Sequence, residues 1–267
     1  MIVNPQQSCA NPALPKLASV DNFRDVAGAE PGYPVRGGRM RLRNLFRANR
    51  ISPSTSDAQF LDELGLVAVH DLREQHEIER HPDAPVDGAK WLHHEIPGIP
   101  VDTVGQLRSP EDTYTAMIDN YRTFVSDPKC RAGLASLLTT IARTDGPQLF
   151  HCAAGKDRTG WAAALIQHIA GASLDTIIAD YLLTDEYSAE SRKATLEAIP
   201  VSLGADNVSA LEPAFHCDID YLTVAFHEAR SMFGSVNGYL TDGLGLEANA
   251  IAALRDRLVV PVDGSAL

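Results

Sequence analysis

Apolar and polar positions change their spacing as the chain proceeds. Residues 54–64 open on Ser and Asp cap candidates and stop at Gly65, which predicts a short helix. Residues 66–72, opening on the apolar run Leu66-Val-Ala-Val69, predict a buried strand. Alternation over 39–45 predicts an earlier strand or hairpin, and 90–96 predicts a further strand. Helical spacing over 111–125 and 131–143 is followed by a strand at 147–151, behind a Gly-Pro break. From Thr159 onward the pattern is almost wholly helical. Gly171 closes one helix; 175–183, 188–199, 213–233 (ending at Gly234) and 246–258 predict others. Strands early, helices late and alternation between them predict an α/β fold, a sheet covered by helices. Residues 1–13 are polar and contain proline, so they read as a loose leader. No repeat or low-complexity linker follows, and 14–267 read as a single domain.

Composition narrows the function classes. The 267 residues are 45% hydrophobic and 22% charged, values of a globular chain rather than a disordered one. No run of 18 apolar residues occurs, so neither a membrane-spanning helix nor stable membrane insertion is expected. The first residues lack the basic and apolar regions of a secretory signal. Cys9, Cys130, Cys152 and Cys217 are scattered without a CxxC pair, too few for a disulfide framework. A cytoplasmic location is the default expectation, with signal-independent export compatible. Net charge is −12, which argues against nucleic acid as a partner. Residues 36–50 are the exception: they hold six arginines and no acid, leaving −18 on the remainder. They read as an exposed strand face paired with acids elsewhere, or as the lining of a substrate entrance or a contact for anionic lipid. Oligomeric state is left open.

Chemistry concentrates between the strand at 147–151 and the helix that begins near Thr159. The segment runs His151-Cys152-Ala153-Ala154-Gly155-Lys156-Asp157-Arg158-Thr159-Gly160, a C-x5-R-T spacing. A short loop from a strand end to a helix N-terminus can turn its N–H groups inward, and with the helix's positive end they cradle an anion. Gly155 admits torsions that a Cβ forbids. Arg158 offers a planar fork for two phosphoryl oxygens. Cys152 sits at the base of this positive field, which favours its thiolate. A thiolate facing a phosphoryl group is an in-line nucleophile, and a cysteinyl phosphate is the expected intermediate. Thr159 can donate its hydroxyl to the sulfur, and His151 orients the cysteine backbone. The phosphate-binding set is thus residues 153–158, Ala153, Ala154, Gly155, Lys156, Asp157 and Arg158.

These residues resemble the cysteine-dependent protein tyrosine phosphatase superfamily, in particular a bacterial and fungal branch whose loop reads HCxAGKDRTG. Asn22-Phe-Arg-Asp-Val-Ala-Gly28 is similar to the branch's NFRD segment, Leu45-Phe-Arg-Ala48 to its L-[YF]-R-S, and Asp71-Leu-Arg73 to its DLR. Ala179-Asp-Tyr-Leu and Gly234-Ser-Val-Asn-Gly-Tyr-Leu240 match its helical C-terminal half. The resemblance covers residues 20–258. It implies a phosphatase-like central mixed sheet of about four to five strands flanked by helices. It implies hydrolysis of phosphotyrosine, and often of phosphoserine, phosphothreonine or phosphoinositides, with no metal or other cofactor. Substrates, and so partners, are then phosphorylated proteins or phosphoinositides. Lys156 fills the position thought to favour highly anionic headgroups. A catalytically weak or inactive module that only binds such phosphates is the alternative.

The leaving group needs a general acid opposite Cys152. No Trp-Pro-Asp occurs. Asp157 is the first candidate, and the resemblance supports it; its other reading is a loop brace. Asp71 is the alternative acid, at a strand's C-terminal end where open α/β sheets place ligands; its other reading is an ion pair with Arg73. Three signals read as incidental: His216-Cys-Asp-Ile-Asp220 as a solvated helix face, His93-His94-Glu95 as a strand with one exposed face, and Asn207-Val-Ser209 as a sequon of consequence only outside the cell.

Overall fold

The structure, a computed structural model, describes residues 14–203 and 206–262; the expected leader at 1–13 lies outside them. The strands are β1 (Arg24–Asp25), β2 (Pro34–Val35), β3 (Gly38–Met40), β4 (Leu45–Ala48), β5 (Ala68–Asp71), β6 (Lys90–His93), β7 (Gln148–His151) and β8 (Val259–Pro261). A five-stranded mixed sheet has the order β1-β4-β7-β5-β6, and β2-β3-β8 form a separate small sheet. In the large sheet β1 is antiparallel and the rest run parallel. Every residue of β4, β5 and β7 is buried, as expected of strands covered on both faces. Their register aligns Ala48, His151 and Asp71 in one row at the carboxyl edge. Whatever follows β7 therefore leaves the sheet at its middle, where α/β proteins bind ligands.

The helices are α1 (Thr55–Glu63), α2 (Gln75–Arg80), α3 (Val101–Val104), α4 (Pro110–Ser126), α5 (Pro128–Arg143), α6 (Asp157–Ala170), α7 (Leu174–Leu182), α8 (Thr184–Tyr187), α9 (Ala189–Leu203), α10 (Asp206–Leu211), α11 (Ile219–Phe233), α12 (Val236–Gly238) and α13 (Ala248–Leu258). Ser54 caps α1 through the N–H of Asp57, as its sequence predicts. Gly171 ends α6 in the left-handed region. Almost all of α6 is buried; Trp161, Leu165 and Ile166 join the main core with Phe124, Leu134, Leu137 and Phe226 from α4, α5 and α11. A smaller core on the other side packs Phe23, Phe46, Leu61, Leu66 and Leu149. No helix among the described residues is long and apolar enough to cross a membrane.

Two expectations are corrected, and one helix is new. Residues 39–45 are not one strand or hairpin: Arg43 takes φ +57 and separates β3 from β4, which belong to different sheets. Residues 213–233 are not one helix. After a 3-10 turn the backbone of His216 is extended, the N–H of Cys217 goes to Asp185, and Asp218 caps α11 by accepting from the N–H of Asp220. The short α2 carries no periodicity that its sequence could announce, because it buries no residue at all.

Candidate active site

The loop between β7 and α6 is shaped by contacts at its back. Gly155 has φ +69, and a Cβ there would stand 2.5 Å from the carbonyl oxygen of Ala48. Glycine is thus required both by torsion and by the closeness of β4. The Gly155 carbonyl accepts from Asn22 Nδ2 at 2.7 Å and Arg47 Nη2 at 2.9 Å. The Ala153 carbonyl accepts from the N–H of Arg50 at 3.1 Å, and His151 Nδ1 lies 3.1 Å from the Cys152 carbonyl. The carbonyls of Cys152, Ala153 and Gly155 are thus occupied, whereas no N–H of residues 153–156 has a hydrogen-bond partner among the described residues. Such a set of unmatched donors beside a helix start is an anion site.

Cys152 lies at the loop's foot and is 3% exposed. Arg158 projects from the first turn of α6. Glu77 grips the Nη1/Nη2 end of its guanidinium, at 2.5 and 2.8 Å. Glu77 is itself fixed, since Oε2 accepts from the N–H of Glu74 in a capping box that starts α2. Nε of Arg158 has no partner among the described residues, so the Nε edge of the fork remains for an oxyanion. Burial opposes the charge on Arg158, but Glu77 outweighs it and pushes its pKa up. Burial likewise pushes Glu77 up, and Arg158 more than reverses this, holding its carboxyl below the usual range. Both members of the pair therefore stay ionised. The buried hydroxyl of Thr159 makes no hydrogen bond among the described residues.

Asp157 Oδ1 accepts from Lys156 Nζ at 2.7 Å and from the Tyr121 hydroxyl at 3.0 Å; Oδ2 has no partner among the described residues. Lys156 also donates to the His216 carbonyl at 3.2 Å and stands over the Tyr221 ring. Its ammonium is thus tethered beside Asp157 rather than extended toward solvent. Tyr121 and Tyr181 share a hydrogen bond of 2.8 Å, and burial, then the Asp157 charge, push the Tyr121 hydroxyl well above its ordinary range.

Asp71 is level with His151 but fully buried, and both its oxygens are taken by Arg73, at 2.7–3.2 Å. The same guanidinium lies 2.8 Å from Asp83, whose carboxylate is 3.0 Å from His151 Nε2. The geometry favours the ion-pair reading of Asp71 over its role as an alternative acid. Asp71, Asp83 and His151 together are ligand types that could hold a cation. The Arg73 guanidinium already supplies the positive charge at that spot.

Behind the loop, buried Asp180 of α7 binds Arg47 at 3.0 Å, Arg24 at 3.3 Å and the Tyr33 hydroxyl at 3.2 Å. Burial pushes Asp180 up, and the two arginines more than reverse it, so the carboxylate persists. Asn22, Arg24, Arg47 and Asp180 stand in segments singled out above, yet their types and spacing point to no task there. Glu77 and Tyr121 were missed; the only trace of the former is the Glu74-x-x-Glu77 spacing of a capping box. His216 is not on a helix face: its backbone is extended between the 3-10 turn and α11, and its carbonyl accepts from Lys156. His94 is not on an exposed one, being buried against His70 and Ser136. The arginine window does not form one surface: Arg47 is buried under the loop while Arg50 is exposed.

Residues 15–260 match the model of the tyrosine phosphatase family. A Cupriavidus necator protein assigned to the tyrosine-protein phosphatases is 30% identical over 251 residues, 89% of this chain and 85% of that one. The triple specificity protein phosphatase PtpB of Mycobacterium tuberculosis is 26% identical, over 92% of this chain and 99% of that one. Among solved structures, the core catalytic domain of the PP-IP phosphatase SIW14 from S. cerevisiae aligns with 70% of this chain and 98% of its own, at 18% identity and a TM-score of 0.35. With the family model spanning nearly the whole chain, the protein belongs to the tyrosine phosphatase family and is a phosphoric monoester hydrolase.

Proposed function

We propose that the protein hydrolyses phosphotyrosine, and phosphoserine, phosphothreonine or phosphoinositides in addition, by way of a cysteinyl phosphate on Cys152. The observation that carries this reading is the loop itself: a buried cysteine beneath unmatched N–H donors, with Arg158 held at the rim by Glu77. The donors of residues 153–158 bind the non-bridging oxygens, and the Nε edge of Arg158 adds a charged grip. The Cys152 thiolate attacks phosphorus as the bond to the leaving oxygen breaks. Asp157 gives that oxygen a proton from Oδ2. The carboxylate left behind is stabilised by Lys156 and Tyr121 on Oδ1. Water then attacks phosphorus, its proton passes to Asp157, and the sulfur departs with the Thr159 hydroxyl positioned to help it. Inorganic phosphate is released and both groups return to their starting states. No metal takes part in these steps.

Cys152→Ser is the test, assayed on an aryl phosphate and on a phosphopeptide with chelator present. Turnover should fall at least about 10³-fold, since a serine hydroxyl in this loop lacks an activating base. Inorganic phosphate should still bind. A variant with wild-type turnover would overturn the mechanism, and wild-type protein that binds phosphoesters without turnover would favour the binding module.

A further inference from the structure

Directly beside the catalytic loop lies a cavity of about 200 Å³ lined by basic residues. Ala153, the residue after the nucleophile, forms one wall, and Arg50, His76, Arg80 and His81 form the others. Neither Arg50 nor Arg80 has an ion-pair or side-chain hydrogen-bond partner among the described residues. The cavity's one acid, Glu77, is neutralised by Arg158. Its buried arginine, Arg73, is neutralised by Asp71 and Asp83. What remains uncompensated is the positive charge of Arg50 and Arg80, on a chain whose net charge is −12.

This pocket is built into the frame of the catalytic loop. The N–H of Arg50 holds the Ala153 carbonyl, Arg73 Nη1 donates to the His81 carbonyl at 2.7 Å, and Asp83 accepts from the N–H of Ile51 at 2.9 Å. The backbone that carries Arg50 is therefore tied to the residue after Cys152, and that of His81 to the buried Arg73 guanidinium. Only the exposed guanidinium and imidazole ends are left adjustable. Two cationic forks beside a phosphate loop are complementary to a second oxyanion close to the scissile one.

We propose that this pocket is a second-phosphate subsite, which selects substrates carrying another phosphoryl group close to the one being hydrolysed. A compact bisphosphorylated ring headgroup, free or lipid-borne, fits this description best. Its phosphates are held a few bonds apart by a rigid ring, matching a pocket that abuts the loop itself. The subsite rests on the hydrolase reading above for its meaning, but its occupancy can be measured without turnover.

The experiment compares kcat/KM for an inositol bisphosphate with adjacent phosphates against p-nitrophenyl phosphate, in wild-type protein and in the Arg50→Ala/Arg80→Ala double variant. Losing two exposed charge-assisted contacts should lower the bisphosphate-to-aryl ratio about tenfold or more. An unchanged ratio overturns the subsite. The same headgroup presented in phosphatidylcholine vesicles is a second arm. A comparable drop in both arms supports a site that reads the headgroup; a drop confined to vesicles means a membrane contact instead and overturns it. A doubly phosphorylated peptide is the third arm, and a drop there without one for the inositol phosphate overturns the ligand class. Titration of the bisphosphate into Cys152→Ser, with and without the two arginine substitutions, keeps the outcomes apart. Absence of turnover in wild type would count against the hydrolytic mechanism, whereas affinity that is insensitive to the arginines would count against the subsite.

Discussion

In the proposed mechanism Asp157 does two jobs, which require opposite protonation states. As the first residue of α6 its charge suits the helix's positive end, and Lys156 and Tyr121 both donate to Oδ1. The carboxylate is the form that accepts a proton from water in the second half of the reaction. The first half needs the acid form, and only for leaving groups too basic to depart alone. Asp157→Asn should therefore slow an alkyl phosphate or phosphoserine about 10²-fold or more, while p-nitrophenyl phosphate loses roughly tenfold or less. Initial rates on a series of aryl phosphates of rising leaving-group pKa check this. An equal loss across the series would move the acid elsewhere and leave Asp157 as a brace.

At the scale of elements, the loop is a keystone between β1, β4, α6 and α7. Asp180 of α7 ties Arg24 of β1 to Arg47 of β4, and Arg47 passes the restraint on to the Gly155 carbonyl. Asp180→Asn would leave two buried guanidinium groups without their counter-charge. A loss of about 3 kcal/mol or more is expected in urea denaturation, against about 1 kcal/mol for Tyr33→Phe, which removes a single hydrogen bond to the same carboxylate. If the two variants are equally mild, the clamp is not what holds the loop. This clamp also explains what could be read from the sequence and what could not. β5, β7, α1, α4 and α5 follow from local periodicity and caps, and the loop from its residue types at fixed spacing. The partners of Asp180 lie 133 and 156 positions away, and Glu77 reaches Arg158 across 81, so no local pattern records them. The break at His216 depends on Asp185 in the same way.

Across the whole molecule, the sheet is joined to α5 by a buried polar relay that senses pH. Gln148 of β7 donates to the carbonyls of Ile141 and Thr144, which turns its Oε1 toward His70 Nε2 at 2.8 Å. His70 Nε2 must then carry the proton, so Nδ1 accepts from His94 Nε2 at 3.0 Å. His94 Nδ1 in turn accepts from the Ser136 hydroxyl at 2.8 Å. Each donor is matched once along the chain, and neither ring has room for a second proton. Burial drives both histidines down, to about 4 from an ordinary 6.5. A depressed folded-state pKa means that the unfolded chain binds the extra protons, so stability is present above pH 6.5 and drains away as pH falls toward 4. Asp25 works in the opposite direction, because burial raises it to about 7 and favours the folded state on acidification. A wild-type stability curve mixes the two trends, but His94→Gln separates them. The glutamine cannot titrate, so the penalty for this substitution should shrink by about 2 kcal/mol between pH 7 and pH 5, the value of roughly 1.5 pH units below the normal histidine pKa. Urea midpoints for both proteins at the two pH values measure it, and a penalty independent of pH would mean that the relay accepts a proton without loss.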